Sequence, residues 1–159
     1  MGGEVILLLG SNTGRRVRSL RDGIAALSGG MEVERVSRIF VGEPGGRAHQ
    51  PWYLNVAVRG TTSLSPESLL RFVKSIEAAA GRKSGPRWGP RELDIDIILM
   101  GNTIVREEHL VIPHPRMAMR RFCLAPVHDI APDVPIPPDG RMVKDLFEDC
   151  RDPLEVTPL

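Results

Sequence analysis

The sequence has few aromatic residues and no excess of charge of either sign. Aromatic side chains make up 4% of the 159 residues, and the formal net charge at pH 7 is +1. A chain this close to neutral has no overall field that would attract a nucleic acid or an anionic membrane. Any function that needs positive charge must therefore concentrate that charge locally.

Long apolar runs and a cysteine framework are also missing. The longest apolar runs are VILLL at 5–9 and IILM at 97–100, far shorter than the ~20 residues of a membrane span. The two cysteines match no metal-binding spacing, so we interpret them as reduced thiols of a cytoplasmic protein. The length predicts a single domain over residues 1–159, and we expect a monomer with no nucleic-acid or membrane partner.

The periodicity of apolar residues predicts the order β-α-β-β-α-β, followed by a proline-rich tail. The predicted strands lie near 4–9, 32–43, 53–62 and 91–100, with a further short one near 103–106. Helical spacing predicts one helix that ends at Gly29-Gly30 and a second that follows Ser65 as N-cap and stops at Gly81. Short helices are predicted near 116–121 and 141–149. This order is typical of the ferredoxin-like α+β fold, an antiparallel sheet with both helices on one face, here with a C-terminal extension.

Two aspartates interrupt the most apolar predicted strand. In RWGPRELDIDIIL (87–99), Asp94 and Asp96 alternate with apolar residues, so both side chains share one face, roughly 6.5–7 Å apart. The opposite face, toward the helices, is expected to carry Leu93, Ile95, Ile97 and Leu99. Two carboxylates this close raise each other's pKa unless a cation lies between them, and their hard oxygens suit Mg²⁺. The alternative is a solvated surface pair that contacts nearby arginines.

The segment before this strand concentrates positive charge. GRKSGPRWGPR (81–91) contains four cationic residues and no acidic one. Clustered cations beside a metal held by carboxylates are typical of phosphoryl transfer, which depends on positioning and charge neutralisation. A plain basic surface loop would explain the charge but not its position beside the aspartates. GSNTG (10–14) is no nucleotide-binding P-loop, because no Lys follows its second glycine; its glycines are expected to serve the turn between strand and helix.

Four stretches together resemble the 6-hydroxymethyl-7,8-dihydropterin pyrophosphokinase family. They are LGSN (9–12), QPWYLNVAV (50–58), RWGPRELDIDII (87–98) and IPHPRMAMRRFCLAPVHDIAPD (112–133). The resemblance implies transfer of pyrophosphate from ATP to the hydroxymethyl group of a reduced pterin in tetrahydrofolate biosynthesis, with release of AMP. It also implies two Mg²⁺ ions held by Asp94 and Asp96, and a catalytic role on the phosphates for Arg82 and Arg91.

The resemblance implies two further sets of binding residues. Those at the family's ATP contacts are Glu77, Arg82, Lys83, Trp88, Arg91, Ile97 through its backbone, His114 and Arg120. Those at its pterin contacts are Gly42, Glu43, Pro44, Tyr53, Asn55, Trp88, Asp94 and Phe122. Tyr53 and Phe122 match the aromatic pair that encloses the pterin, and Asn55 matches the residue that hydrogen-bonds its edge.

The chain departs from the family's pattern at two positions. Gly42 lies where the family usually has Thr in Tyr-x-Thr-x-Pro, so its contribution there would come from the backbone. Ser84 lies where many relatives have a second loop arginine, and Lys83 is the nearest substitute, without the bidentate geometry of Arg.

Two other classes of protein fit parts of the pattern. RNA-recognition domains share the βαββαβ order, but they display aromatic residues on the central strands, where this chain has aspartates. A two-metal phosphodiesterase or nuclease would also use paired aspartates, but usually together with further carboxylates or histidines.

Overall fold

The computed structural model describes residues 2–44, 51–81 and 92–159. Its strands are β1 (Gly3–Ser11), β2 (Glu32–Val36), β3 (Phe40–Gly42), β4 (Tyr53–Thr62), β5 (Asp94–Leu99), β6 (Val105–Glu107), β7 (Leu110–Ile112), β8 (Pro135–Ile136), β9 (Arg141–Met142) and β10 (Val156–Pro158). Its helices are α1 (Arg16–Ala26), α2 (Pro66–Ala79), α3 (Arg121–Ile130) and α4 (Val143–Asp149), and a 3-10 turn, Leu27–Gly29, follows α1.

A six-stranded antiparallel sheet organises the fold. Its strands lie in the order β10-β3-β4-β1-β5, and β2 also pairs with β4. Strands β6 and β7 form a separate hairpin, and β8 pairs with β9. The predicted βαββαβ order and antiparallel sheet are therefore confirmed, and β5 lies at one end of the sheet among the described strands.

Both faces of the sheet are covered, because its strands alternate between two apolar clusters. In β1, Val5, Leu7 and Leu9 pack with α1 and α2, whereas Ile6 and Leu8 pack with α3 and α4. The helices of the βαββαβ unit thus share one face, as predicted. The C-terminal extension covers part of the other face.

The ends of α2 follow the predicted signals. The Ser65 hydroxyl accepts a hydrogen bond from the Ser68 backbone N–H at 3.2 Å, and Pro66 is the first helical residue, where a missing N–H costs nothing. Gly81 has φ +91, a left-handed conformation that glycine adopts without steric strain. The N-cap and the glycine stop are both confirmed.

Two predicted strands differ in extent from the observed ones. The strand expected over 32–43 is divided into β2 and β3, because the Ser37 hydroxyl accepts from the Ala57 backbone N–H at 2.8 Å in place of a backbone carbonyl. The strand expected over 91–100 begins only at Asp94. The prediction that Leu99 shares the face of Ile95 is wrong, because a bulge shifts the register so that Leu99 pairs with Ile6 and joins the second cluster.

Of the two short helices predicted in the tail, one is wrong and the other is confirmed. Turns occupy 115–119 where a helix was predicted near 116–121, and α3 begins only at Arg121. Pro126 lies inside α3, and proline normally interrupts a helix. Burial of most of this helix against the sheet outweighs that local preference. The helix predicted near 141–149 is α4. Within the described ranges, no helix has the length and apolar character of a bilayer span.

Candidate active site

Strand pairing places two predicted site residues, Asp94 and Asn55, in one row across the sheet. Asp94 of β5 lies opposite Gly10 of β1, Gly10 opposite Asn55 of β4, and Asn55 opposite Phe40 of β3. Neighbouring strands are about 4.8 Å apart, so Asp94 and Asn55 are separated by roughly 10 Å. The side chains of this row share the face on which α3 and α4 pack. The predicted carboxylates therefore lie on the face opposite α1 and α2, as expected.

The two aspartates have an environment that suits a hard cation. Both are only partly buried, in contrast to their apolar neighbours in β5, and 47% of the Asp96 side chain is exposed. Carboxylate oxygens that project from one face of a strand and remain open to solvent can complete the coordination of Mg²⁺ with phosphate oxygens and water. The donor set at Asp94 and Asp96 thus fits the metal implied by the sequence.

His114 lies beside this pair. Its backbone N–H donates to the Ile98 carbonyl at 2.9 Å, and its Nε2 lies 3.9 Å from Asp96 Oδ1. Its Nδ1 accepts from the Arg116 backbone N–H at 3.2 Å, so in the neutral ring the proton is on Nε2. Burial and then the Arg116 charge lower the pKa of His114. A neutral imidazole N–H therefore faces Asp96, at a distance too long for a hydrogen bond.

The charge of Asp96 also affects the pKa of Cys123. Burial, and then the negative charge of Asp96, raise the pKa of the Cys123 thiol. A thiol that resists ionisation is a poor metal ligand. Cys123 is therefore poorly suited to bind a metal beside the aspartates, and both cysteines are free thiols, as predicted.

Glu77 lies on the helical side of the sheet. Glu77 belongs to α2 and its side chain is buried. Its Oε2 accepts a hydrogen bond from the Ile95 backbone N–H at 2.8 Å. Lys74 Nζ is 3.5 Å from its Oε1. Glu77 thus fixes β5 at the residue between the two aspartates. The Ile97 side chain is buried in the first cluster, and its strand lies at one end of the sheet among the described strands.

Four predicted pterin residues come together at the other end of the row. A Cβ atom at Gly42 would lie 3.5 Å from Phe122 Cβ and 3.6 Å from Asn55 Nδ2, and Gly42 pairs with Tyr53. Asn55 is 3% exposed, and its Nδ2 has no hydrogen-bond acceptor within the part of the chain that the structure describes. A buried amide donor left without an acceptor costs about 1–3 kcal/mol. This donor is therefore suited to a ligand acceptor.

Two other predicted residues on this side, Glu43 and Arg120, contact the C-terminal segment. Glu43 and Pro44 are partly buried, and the Glu43 backbone N–H donates to the Glu155 carbonyl at 2.9 Å. Arg120 stacks on Phe122, with its guanidinium carbon 5.3 Å from the ring centroid. Its Nε lies 3.4 Å from Asp152 Oδ2.

The cationic loop falls outside the described residues. Four predicted site residues belong to it: Arg82, Lys83, Trp88 and Arg91. Their roles remain predictions from the sequence.

Sequence reasoning missed Gly10 and Asp152. Gly10 is not part of the turn; it is a strand residue whose missing side chain leaves room for the Asn55 amide. A glycine inside a strand is a signal of close approach, and it could have been recognised. Asp152 lies in the tail, where no pattern in the sequence indicated a contact with Arg120.

Comparison with known proteins gives a consistent family. The sequence profile described as 7,8-dihydro-6-hydroxymethylpterin-pyrophosphokinase (HPPK) matches residues 6–132. A 2-amino-4-hydroxy-6-hydroxymethyldihydropteridine pyrophosphokinase of Aquifex aeolicus is 38% identical over 130 residues, covering 82% of this chain and 81% of the relative. The enzyme of the same name from Bacillus subtilis is 40% identical over 136 residues, covering 84% of this chain and 81% of the relative.

Other similar proteins are longer. The mitochondrial folate synthesis bifunctional protein of Arabidopsis thaliana is 43% identical over 128 residues, covering 80% of this chain but only 23% of the relative. Among solved structures, Plasmodium falciparum HPPK-DHPS wild type with pteroate has a TM-score of 0.75 at 13% identity, covering 94% of this chain and 42% of that one. This likeness supports the ferredoxin-like fold. The profile and the bacterial relatives show that the chain belongs to the HPPK family, which confirms the pyrophosphokinase class and the reaction in folate synthesis implied by its motifs.

Proposed function

We propose that the row from Asp94 to Asn55 is where this chain transfers pyrophosphate from ATP to 6-hydroxymethyl-7,8-dihydropterin. The observation that carries the proposal is the row itself. It has metal-suited carboxylates at one end, a buried amide donor without an acceptor in the described chain at the other, and a glycine between them. A pterin held at Asn55 would extend its hydroxymethyl group over Gly10 toward the phosphates at Asp94 and Asp96.

The transfer forms one bond and breaks another. The hydroxymethyl oxygen attacks the β-phosphorus of ATP, the bond from that phosphorus to the oxygen bridging the α-phosphorus breaks, and AMP leaves with that oxygen. When two Mg²⁺ ions are bound at Asp94 and Asp96, they supply the positive charge that neutralises the triphosphate. Arg82 and Arg91 are proposed to add charge at the phosphates.

No described residue is placed as a strong base for the hydroxyl proton. His114 accepts a backbone N–H at Nδ1, and its Nε2 carries the proton of the neutral ring. The proton therefore passes to solvent or to the released phosphate oxygens. The role we propose for His114 is a hydrogen bond from Nε2 to ATP, beside the carboxylate of Asp96.

The pterin side uses shape and hydrogen bonding. Tyr53 and Phe122 supply aromatic surface, and Asn55 Nδ2 donates to an acceptor on the ring edge. Backbone at Gly42, Glu43 and Pro44 completes the wall. We propose ATP and the reduced pterin as the substrates of a monomeric enzyme; light scattering during size-exclusion chromatography tests its oligomeric state.

A coupled assay tests this function. The purified chain is incubated with ATP, Mg²⁺ and 6-hydroxymethyl-7,8-dihydropterin, and AMP and the pterin pyrophosphate are quantified. We expect AMP only when pterin and Mg²⁺ are both present, in equal amounts with the pterin product, and none with Asp96→Asn. Formation of ADP, or of AMP without pterin, would contradict the proposal.

A further inference from the structure

The segment after the family match reaches back to the pterin side of the site. The family profile ends at residue 132. Residues 152–158, which we call the C-terminal strap, contact both α3 and β3. These two elements carry the walls of the pterin pocket proposed above, so the inference below rests on that proposed function.

One end of the strap is Asp152, whose side chain is only 5% exposed. Its Oδ2 accepts from the Arg121 backbone N–H at 2.9 Å and from Arg120 Nε at 3.4 Å, and its Oδ1 accepts from the Leu154 backbone N–H at 3.1 Å. Arg120, the N-cap residue of α3, makes no side-chain cap of its own. Asp152 therefore caps this helix from a distant part of the chain and places a negative charge at its positive end.

Burial raises the pKa of Asp152. The hydrogen bonds from the Arg121 and Leu154 backbone, together with the Arg120 charge, outweigh burial and leave the pKa below its usual value. Asp152 is thus ionised at neutral pH. Its charge-assisted hydrogen bonds are of the stronger kind.

The other end of the strap is β10. Val156 pairs with Gly42, and its Cγ2 would lie 3.7 Å from a Cβ atom at Gly42. The Glu155 backbone N–H donates to Glu43 Oε1 at 3.2 Å. The strap thereby joins β3 to the first turn of α3. In that turn, Phe122 Cβ lies 3.5 Å from where a Cβ atom at Gly42 would be.

We infer that Asp152 is a positioning residue for the pterin pocket: it fixes Arg120 and the first turn of α3 so that Phe122 keeps its place opposite Gly42. The stacking of Arg120 on Phe122 connects the two, because the guanidinium that contacts the ring is the one bonded to Asp152. Loss of the carboxylate releases the helix cap and this stacked pair together. The ring then samples positions that do not fit the pterin.

The test compares Asp152→Ala and Asp152→Asn with the unchanged protein. Pterin binding is measured by calorimetry with a non-hydrolysable ATP analogue and Mg²⁺ present, and KM and kcat are measured in the AMP assay. We expect Asp152→Ala to raise the KM and Kd for pterin about tenfold or more, with a smaller change in kcat. Asp152→Asn keeps an acceptor oxygen and should therefore show a smaller loss of pterin affinity than Asp152→Ala. It also provides the test if the alanine variant does not fold.

Two matched controls separate positioning from general loosening. Asp149→Asn removes one charge from an exposed residue of the same region that pairs with Arg141. Asp129→Ala removes the carboxylate that holds the other end of α3 to Arg38. Both should leave the KM for pterin within about twofold, even if Asp129→Ala lowers the melting temperature.

The outcomes are distinct. An unchanged pterin KM in Asp152→Ala and Asp152→Asn, with the unchanged protein active, overturns the inference and leaves the proposed function intact. An equal rise in Asp129→Ala also overturns it, because the effect would then be ordinary destabilisation of α3. If the unchanged protein neither binds pterin nor forms AMP, the proposed function fails and the inference fails with it.

Discussion

Gly10 and Asn55 face each other across paired strands so closely that Gly10 has no room for a side chain. A Cβ atom at Gly10 would lie 2.7 Å from Asn55 Oδ1, a distance that real Cβ atoms do not show. The Asn55 amide is the end of a side chain and can move more easily than the backbone of β1. A methyl group at position 10 would therefore displace this amide. The absence of a side chain at Gly10 thus leaves room for the Asn55 amide beside β1.

The first prediction follows from this contact. Gly10→Ala should weaken pterin binding about tenfold, because the displaced Asn55 amide no longer meets the ring, while ATP binding stays close to normal. Gly3→Ala is the matched control, since it lies in the same strand and its Cβ would meet nothing within 4 Å. Calorimetry with each ligand checks the result; equal losses for ATP and pterin would contradict it.

The second prediction concerns Asn55 itself. Asn55→Ala should cost about 1–3 kcal/mol of pterin binding, because a buried partner on the ring is left without its hydrogen bond. Asn55→Asp is nearly isosteric but replaces the Nδ2 donor with an acceptor, so it should lose at least as much. Retention of full pterin affinity by Asn55→Asp would show that Nδ2 does not donate to the ligand. Calorimetry of both variants with the pterin measures the effect.

The third prediction separates anchoring from nucleotide contact at Glu77. Its Oε2 holds the Ile95 backbone N–H between the two aspartates, so Glu77→Ala should lower the free energy of unfolding by about 1–3 kcal/mol. Glu77→Gln keeps an acceptor oxygen and should lower it less. Urea denaturation measures both variants.

The kinetics of Glu77→Gln complete that test. If Glu77 acts by holding β5, this variant should keep most of its affinity for ATP with Mg²⁺. A large rise in the ATP KM with little change in stability would instead assign Glu77 to the nucleotide, as the family resemblance implies.

The fourth prediction concerns acid stability. Burial raises the pKa of Asp129, but hydrogen bonds from Arg38 and the charges of Arg38 and His128 outweigh it and leave the pKa below its usual value. A carboxyl group with a depressed pKa stabilises the fold above its unfolded pKa of about 3.9, and this contribution is lost as the pH falls toward the folded value.

Asp129→Asn should therefore reduce the melting temperature at pH 6 and flatten its decline between about pH 4 and pH 2. Asp22→Asn is the control, because Asp22 is exposed in its pair with Arg18. Thermal melts across this pH range give the comparison. Parallel curves for Asp129→Asn and the unchanged protein would contradict the assignment.

Local signals in the sequence were sufficient for the main elements. Ser65, Pro66 and Gly81 marked the ends of α2, and alternation in β5 placed Asp94 and Asp96 on one face, because caps and strand periodicity depend on near neighbours along the chain. The bulge that moves Leu99 to the second cluster depends on how β5 pairs with β1. Such a shift is a tertiary property with no local signal.

The tail was harder to predict for the same reason. Pro126 argues against a helix locally, and α3 forms because both it and its neighbours are buried against the sheet. Asp152 contacts Arg120 from 32 residues away. In the row, the sequence alone assigns Gly10 to a turn, because its contact with Asn55 in another strand leaves no local signal.

The last prediction separates charge that binds from charge that catalyses. Asp94→Asn or Asp96→Asn should weaken Mg²⁺-dependent ATP binding and turnover together, because Mg²⁺ joins these oxygens to the triphosphate in both the bound and reacting states.

Arg82, at the start of the glycine-rich cationic loop, is predicted to reach the phosphates mainly in the reacting complex. An interaction made mainly in that complex raises the rate and not the affinity. Arg82→Ala should therefore slow the chemical step by roughly 10²-fold with little change in ATP binding. Rapid-quench measurements decide this, and a normal chemical rate would make Arg82 an ordinary surface charge.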